Sequence, residues 1–214
     1  YKAAYALHNG FSSIMLDGSQ YSMEENIEKT KQIVEICHSI QVGVEGEIGH
    51  VGQAANLDGR DESLYTTPED AAYFAKATGV DCLAVAIGTA HGKYPEGFVP
   101  HINFELLKKI KEATGNMPIA LHGGSGSGDE NIRKAVAAGI NKINLATDLQ
   151  EAAKKGAAEA YENGGDYMKT IQNAELCCKN LLMHWIDLSG SAGRAKDIRL
   201  PYTFSQLQGD HKNN

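Results

Sequence analysis

The chain has 214 residues, 42% of them hydrophobic and 22% charged, the proportions of a soluble globular domain rather than a disordered segment or a small disulfide scaffold. Lys and Arg number 20 against 27 Asp and Glu, a formal charge of −7, so neither nucleic acid nor an anionic membrane is expected as a partner. No apolar run approaches the ~20 residues that span a bilayer, and Cys37, Cys82, Cys177 and Cys178 form no CxxC pair, so the expectation is a reduced, cytoplasmic protein with no secretory or membrane segment.

In chain order the pattern alternates. Tyr1 to Asn9 reads as a helix, then short apolar or β-branched runs predict strands at Ser13–Leu16, Val42–Ile48, Cys82–Ile87, Pro118–Leu121 and Lys142–Leu145. Amphipathic stretches of helical length lie between them and carry start signals. Ser22-Met23-Glu24-Glu25 reads as a capping box, Thr67-Pro68-Glu69-Asp70 puts a capping hydroxyl before a Pro at the first helical position, and Ser127-Gly128-Asp129-Glu130 repeats the capping-box pattern. Gly10, Gly79, Gly115 and Gly139 mark helix ends. Two long helical patterns, Thr147–Tyr161 and Tyr167–Leu188, follow the last strand with no strand between them.

Strands separated by helices imply a parallel sheet, either closed as a (β/α)8 barrel or open and doubly wound. No GxGxxG follows the first strand, so a dinucleotide site is unsupported. In such folds functional groups gather at the carboxyl ends of the strands. There the chain places Asp17, the pair Glu45 and Glu47, His91, His122, and Asn144 with Thr147 and Asp148. His91 and His122 each precede a Gly at the end of successive strands, and together with Glu47 they suit a divalent metal such as Zn2+. The other histidines, among them His8, His38, His50, His101 and His184, read as ordinary hydrogen-bonded side chains. His122-Gly123-Gly124-Ser125-Gly126 and the helix start at Thr147 are two neighbouring anion-friendly loops, which together point to phosphate.

Three runs, Ala84-Val85-Ala86-Ile87-Gly88-Thr89-Ala90-His91-Gly92, His122-Gly123-Gly124-Ser125-Gly126 and Lys142-Ile143-Asn144-Leu145-Ala146-Thr147-Asp148, together resemble the class II, metal-dependent ketose-bisphosphate aldolases. The branch containing tagatose-bisphosphate and some fructose-bisphosphate aldolases is the nearest match, with Ser13–Ser19, Val44–Gly49 and Gly190–Ala195 fitting in order. The resemblance implies a (β/α)8 TIM barrel over residues 1–195, lacking its first strands in this chain, followed by a tail at 196–214. It implies reversible cleavage of a ketose 1,6-bisphosphate into dihydroxyacetone phosphate and glyceraldehyde 3-phosphate, through an enediolate stabilised by Zn2+, with Co2+ or Fe2+ as alternatives. It also implies a small phosphorylated sugar as substrate and a homodimer or homotetramer as the assembly.

By the same resemblance His91 and His122 are metal ligands, and Glu47 and Asp17 are carboxylates near the metal. Gly92, Gly123, Gly124, Ser125, Asn144 and Thr147 hold phosphate, the enediolate or a monovalent cation. Ala146 stands where the other large branch has an Asp. Two positions depart from the family pattern. Its Leu-Asp-His motif, with the first metal ligand and the general acid/base, aligns before Tyr1, and its mobile-loop Glu falls on Ala55. The candidates to replace that Glu are Asp58, Asp61 and Glu62 in the same loop. The alternative reading is a non-catalytic relative that binds sugar phosphate or metal, favoured by Ala55.

Overall fold

A computed structural model of the protein describes residues 2–197, the side chains of Asp58 and Asp197 excepted. Residues 198–214, which make up most of the expected tail, lie outside the described residues. A short helix, α1 (Lys2–His8), leads into five alternating units: β1 (Ser13–Asp17), α2 (Met23–Ser39), β2 (Gly43–Ile48), α3 (Pro68–Thr78), β3 (Cys82–Val85), α4 (Phe104–Ala113), β4 (Ile119–Leu121), α5 (Asp129–Ala137), β5 (Ile140–Ile143) and α6 (Thr147–Glu162). A final helix, α7 (Tyr167–Leu188), returns along α6. No helix among the described residues is long and apolar enough to cross a membrane.

The helix starts follow local chemistry. Ser22 Oγ accepts from the Glu25 N–H, Thr67 Oγ1 from Asp70 and Asn103 Oδ1 from Leu106. The expected cap at Ser127 is a correction: the N-cap of α5 is Gly128, at φ +80°, and Ser127 turns inward to donate to the Gly123 carbonyl. Gly10, Gly79, Gly115 and Gly139 all take positive φ, as expected of helix ends.

The bounds of β3 and β5 shift most. β3 leaves the ladder at Val85, because the Ala86 carbonyl accepts from Thr66 N–H and the Ile87 carbonyl from Asn103 N–H. β5 begins at Ile140, earlier than Lys142, immediately after the turn at Gly139.

All neighbouring strands are parallel and the sheet order is β1-β2-β3-β4-β5, identical to chain order. A doubly wound sheet reverses its order once at a switch point, whereas a barrel winds one way throughout. The described residues therefore form an arc of a (β/α)8 barrel, with five of its strands.

The two faces of that arc differ. Ile14, Val44, Ile48, Leu83, Val85, Ile119 and Leu121 join Val34, Phe74, Leu107, Ile110 and Ile132 of the helices in one apolar core. Each fully buried aliphatic or aromatic side chain there contributes roughly 1.5–3 kcal/mol. Gly46 sits in this layer because a Cβ would strike the Phe74 ring at 2.7 Å. By the twofold alternation of strands, Met15, Asp17, Glu45, Glu47, Cys82, Ala84 and Ala120 face the opposite side, the barrel lumen.

A bulge adjusts the last strand. Ile119 pairs with Ile140 but Ala120 pairs with Lys142, leaving Asn141 as the extra residue. The Asn141 side chain patches the break by accepting from Ile119 N–H and Lys111 Nζ. Ile140 thus stays in the core while Lys142 turns to the lumen.

Candidate metal centre and anion cradle

The lumen face of β2 carries Glu45 and Glu47, each nearly fully buried, because residues two apart in a strand share a face. Asn26 of α2 holds the end of this strand, donating from Nδ2 to the Glu47 carbonyl at 2.9 Å and accepting from Thr30 Oγ1. Opposite them, His122 follows β4, and Thr89 Oγ1 donates to its carbonyl at 2.7 Å. His91 follows β3 on a loop pinned to the segment after β2. The His91 N–H donates to the Gly52 carbonyl and the Ala54 N–H to the His91 carbonyl, both at 2.8 Å.

The side chains converge. His122 Nδ1 lies 3.0 Å from Glu47 Oε2, and His122 Nε2 lies 2.9 Å from Glu45 Oε1. Glu45 Oε2 in turn accepts from Lys142 Nζ at 2.6 Å. Ligand atoms of Glu47, His91 and His122 all fall within 4.8 Å of one another, and the two imidazole rings are 5.8 Å apart. Asp17 pairs with Glu47 across the β1–β2 ladder but stands outside this group, its carboxylate accepting from the N–H and hydroxyl of Ser19.

Burial opposes a charge on His122, but hydrogen bonds donated to Glu45 and Glu47, one from each nitrogen, outweigh it and push its pKa up to about 9. Burial likewise opposes a charge on Glu45, and the hydrogen bonds from His122 and Lys142 hold its carboxyl below the usual range. His91 moves the other way. Burial and then the neighbouring His122 keep its imidazole below the ordinary value, favouring the neutral form that binds metals.

Two imidazoles and a carboxylate suit a borderline divalent cation such as Zn2+, and the same donors accept Co2+ or Fe2+. Glu45 occupies Nε2 of His122 and so leaves Nδ1 on the side of Glu47, the carboxylate–histidine arrangement that orients metal-binding imidazoles. The donor set therefore fits a divalent metal ion of this class.

A cavity of about 470 Å3 opens beside this cluster, lined by His91, Gly92, Gly123, Gly124, Ser125, Asn144 and Thr147 among others. Each of the residues expected to hold phosphate is in that wall. Gly123 takes φ +65° with Ala90 backbone packed where a Cβ would go, so only glycine fits there. Asp148, in the first turn of α6, accepts from the Gly126 N–H at 3.1 Å, and its own N–H donates to Ser125 Oγ at 3.2 Å. The two anion-friendly loops are thereby locked together, with the Ser125 hydroxyl hydrogen left as a donor.

The loop after β2 runs through three short 3-10 turns. Ala55 is exposed in the first of them. Asp61 caps the third, accepting from the hydroxyl and N–H of Ser63, and those bonds hold its carboxyl below the usual range. Glu62 lines a separate cavity of about 230 Å3 with Tyr65, Gly88 and His101. Neither acid belongs to the metal-suited group, and the Asp58 side chain lies outside those described.

Sequence reasoning put Glu45 at a strand end without giving it a role in the candidate site, and it left out Lys142. The Glu-x-Glu spacing of β2 carries a signal for the first, since it puts both carboxylates on one face. Lys142 depends on a bulge that no local pattern announces.

The family model described as fructose-bisphosphate aldolase class-II matches residues 2–194. The uncharacterized protein YdjI of Escherichia coli strain K12 is 38% identical over 198 residues, 89% of this chain and 68% of its own length. The crystal structure of the YdjI aldolase from that strain has a TM-score of 0.77 at 35% identity, covering 90% of this chain and 65% of that one. A fructose-bisphosphate aldolase from Campylobacter jejuni has a TM-score of 0.67 at 29% identity, covering 87% of this chain and 63% of that one. The chain spans about two thirds of the length of these relatives.

Proposed function

The chain belongs to the class-II fructose-bisphosphate aldolase family, and from that premise we propose that it serves a metal-dependent aldolase reaction. The substrate is a ketose 1,6-bisphosphate of the fructose or tagatose type, cleaved reversibly into dihydroxyacetone phosphate and glyceraldehyde 3-phosphate. One observation carries this reading: the donor group of Glu47, His91 and His122 shares His91 with the wall of the glycine-loop cavity. A cation site adjoining an anion cradle is what a phosphorylated ketone requires, its carbonyl oxygen at one and its phosphate at the other.

His91, His122 and Glu47 would hold the cation, zinc by preference of the donor set. When bound, it would polarise a ketone carbonyl as a Lewis acid. The protein's own groups bind and orient. Backbone N–H groups of Gly123 to Ser125, the Ser125 hydroxyl and the positive end of α6 at Thr147 hold the phosphate. Asn144, in the same wall, offers an amide to the hydroxyl groups of the sugar. Exposed apolar side chains along α7 and at the end of α6, among them Tyr161, Tyr167, Met168 and Met183, support self-association into a homodimer or homotetramer.

Cleavage of fructose and tagatose 1,6-bisphosphates, with loss of activity in EDTA and recovery with Zn2+, tests the proposal. Ala55 favours a second reading, a binder of sugar phosphate and metal without turnover. Exchange of the dihydroxyacetone phosphate C3 proton with solvent separates the two, since a binder takes up the compound and leaves its proton in place.

A further inference from the structure

Lys142 and Glu45 come from strands that do not touch. Glu45 is on β2, Lys142 on β5, and β3 and β4 lie between them. Three features nevertheless bring Nζ to 2.6 Å from Oε2. The bulge at Asn141 turns Lys142 to the lumen while its neighbours Ile140 and Ile143 stay against the core. The intervening residues in the register row of Lys142 are Ala84 and Ala120, whose methyl groups leave the concave face clear. Glu45 is buried and faces His122 with its other oxygen.

A buried carboxylate with no counter-charge is strongly unfavourable, so this lysine has a task that a solvated surface lysine does not. It is half exposed, yet its ammonium end is committed to a buried carboxylate of the lumen. Meanwhile Glu45 fixes Nε2 of His122 and so decides which nitrogen faces Glu47 and His91.

We propose that Lys142 and Glu45 are positioning residues: the lysine, aimed by the bulge, holds Glu45, and Glu45 holds the His122 ring with Nδ1 toward Glu47 and His91. Neither touches the substrate. The role deepens the metal-centre reading and rests on it, since the value of a fixed ring is a preorganised ligand.

The test measures Zn2+ affinity by chelator competition and the Co2+ d–d spectrum on the full-length protein and on Lys142→Arg, Lys142→Met, Glu45→Gln and the Lys142→Met/Glu45→Gln double variant. Circular dichroism checks that each is folded. Lys142→Met is expected to lose about 10–100-fold in Zn2+ affinity and to alter the Co2+ spectrum, while Lys142→Arg, which keeps charge and reach, retains both. Because the lysine acts through Glu45, the double variant should be no weaker than Glu45→Gln alone.

Wild-type affinity and spectrum in Lys142→Met would overturn the proposal, as would losses that multiply in the double variant. Should Lys142→Met not fold, the comparison of Glu45→Gln with the double variant, which buries no unpaired carboxylate at position 45, decides alone. If the wild-type protein takes up neither ion, the metal-centre reading is what fails. Proton–nitrogen NMR of the metal-free protein then tests the positioning by itself. An exchange-protected His122 Nε2–H resonance that disappears in Lys142→Met supports it, and one unchanged by that substitution overturns it.

Discussion

His122 Nδ1 stands 3.0 Å from Glu47 Oε2, with both side chains almost wholly shielded from water. The proton between them is the one a metal has to displace, because ligation needs the bare nitrogen. With the imidazole pKa raised to about 9, metal uptake at neutral pH releases that proton. Zn2+ affinity, corrected for hydroxide and buffer complexes, is expected to rise roughly tenfold per pH unit from pH 6 toward 9 and then level off. A flat profile across that range would contradict the protonated site. The same shift has a stability consequence in the metal-free protein. The folded value lies above the ordinary unfolded value of about 6.5, so the stabilisation is complete below that pH and is lost as pH rises through about 9. Urea midpoints at pH 6.5 and 9.5 should fall in that order.

The two histidines should fail differently on truncation. His91→Ala removes a half-exposed imidazole whose loop is held by backbone hydrogen bonds, so the fold survives and Zn2+ binding is lost. His122→Ala takes one partner from Glu45, which keeps Lys142, and takes from Glu47 the imidazole it pairs with. Leaving a carboxylate buried and unpaired costs on the order of 3–5 kcal/mol, so this variant is expected to lose thermal stability as well as metal. Equal melting temperatures for the two variants would argue against a buried ion network.

Glycine positions give a paired comparison. At Gly123 a Cβ meets Ala90 backbone and φ is +65°, whereas at Gly92 φ is +97° and the nearest atom is Gln53 Oε1 at 3.9 Å. Gly92→Ala should therefore show backbone strain alone, about 1–3 kcal/mol. Gly123→Ala should lose clearly more and should close the glycine-loop cavity proposed to hold phosphate, read as lost protection by inorganic phosphate. Matching urea midpoints for the pair would show that Ala90 yields without cost.

Thiol chemistry probes the lumen from another side. Burial first, and then the Glu45 charge, lift Cys82 to about 11, and burial followed by Asp81 raises Cys37. At pH 8 the Cys82 thiolate is about one part in a thousand, so both residues should resist iodoacetamide in the native protein and react once it is unfolded. Rapid native alkylation of Cys82, located by peptide mass spectrometry, would mean that the lumen opens to solvent.

The acids of the loop after β2 separate by their commitments. Asp61 is tied to Ser63 as a turn cap, so Asp61→Asn is expected to keep turnover, while Glu62→Gln or Asp58→Asn carries the large loss. Arg60 stacks on Phe98 at 4.7 Å and anchors the same stretch, so the acid that acts has to move with the loop. If all three amides turn over at the wild-type rate, no acid of this loop replaces the glutamate that Ala55 displaces.

The strand-and-helix alternation was legible from the residues because each element carries its own local chemistry: Ser22 and Thr67 at helix starts, glycines at positive φ at the ends, and apolar runs for the core. His91 and His122 could be placed at strand ends for the same reason, and the Gly-Ser run falls in the wall of the cavity beside them. Local pattern reached its limit at one loop and wherever a partner lies far along the chain. The capping-box pattern at Ser127 failed because the hydroxyl found the Gly123 carbonyl of its own loop and left the cap to Gly128. The choice between barrel and open sheet was decided only by strand order, which depends on how successive crossovers pack. Glu45 and His122 are 77 residues apart, and Glu45 and Lys142 are 97 apart. Only the curvature of the sheet, the bulge at Asn141 and the small side chains of Ala84 and Ala120 bring those charges together, since a side chain's type is fixed by sequence but its counter-charge is chosen by the fold.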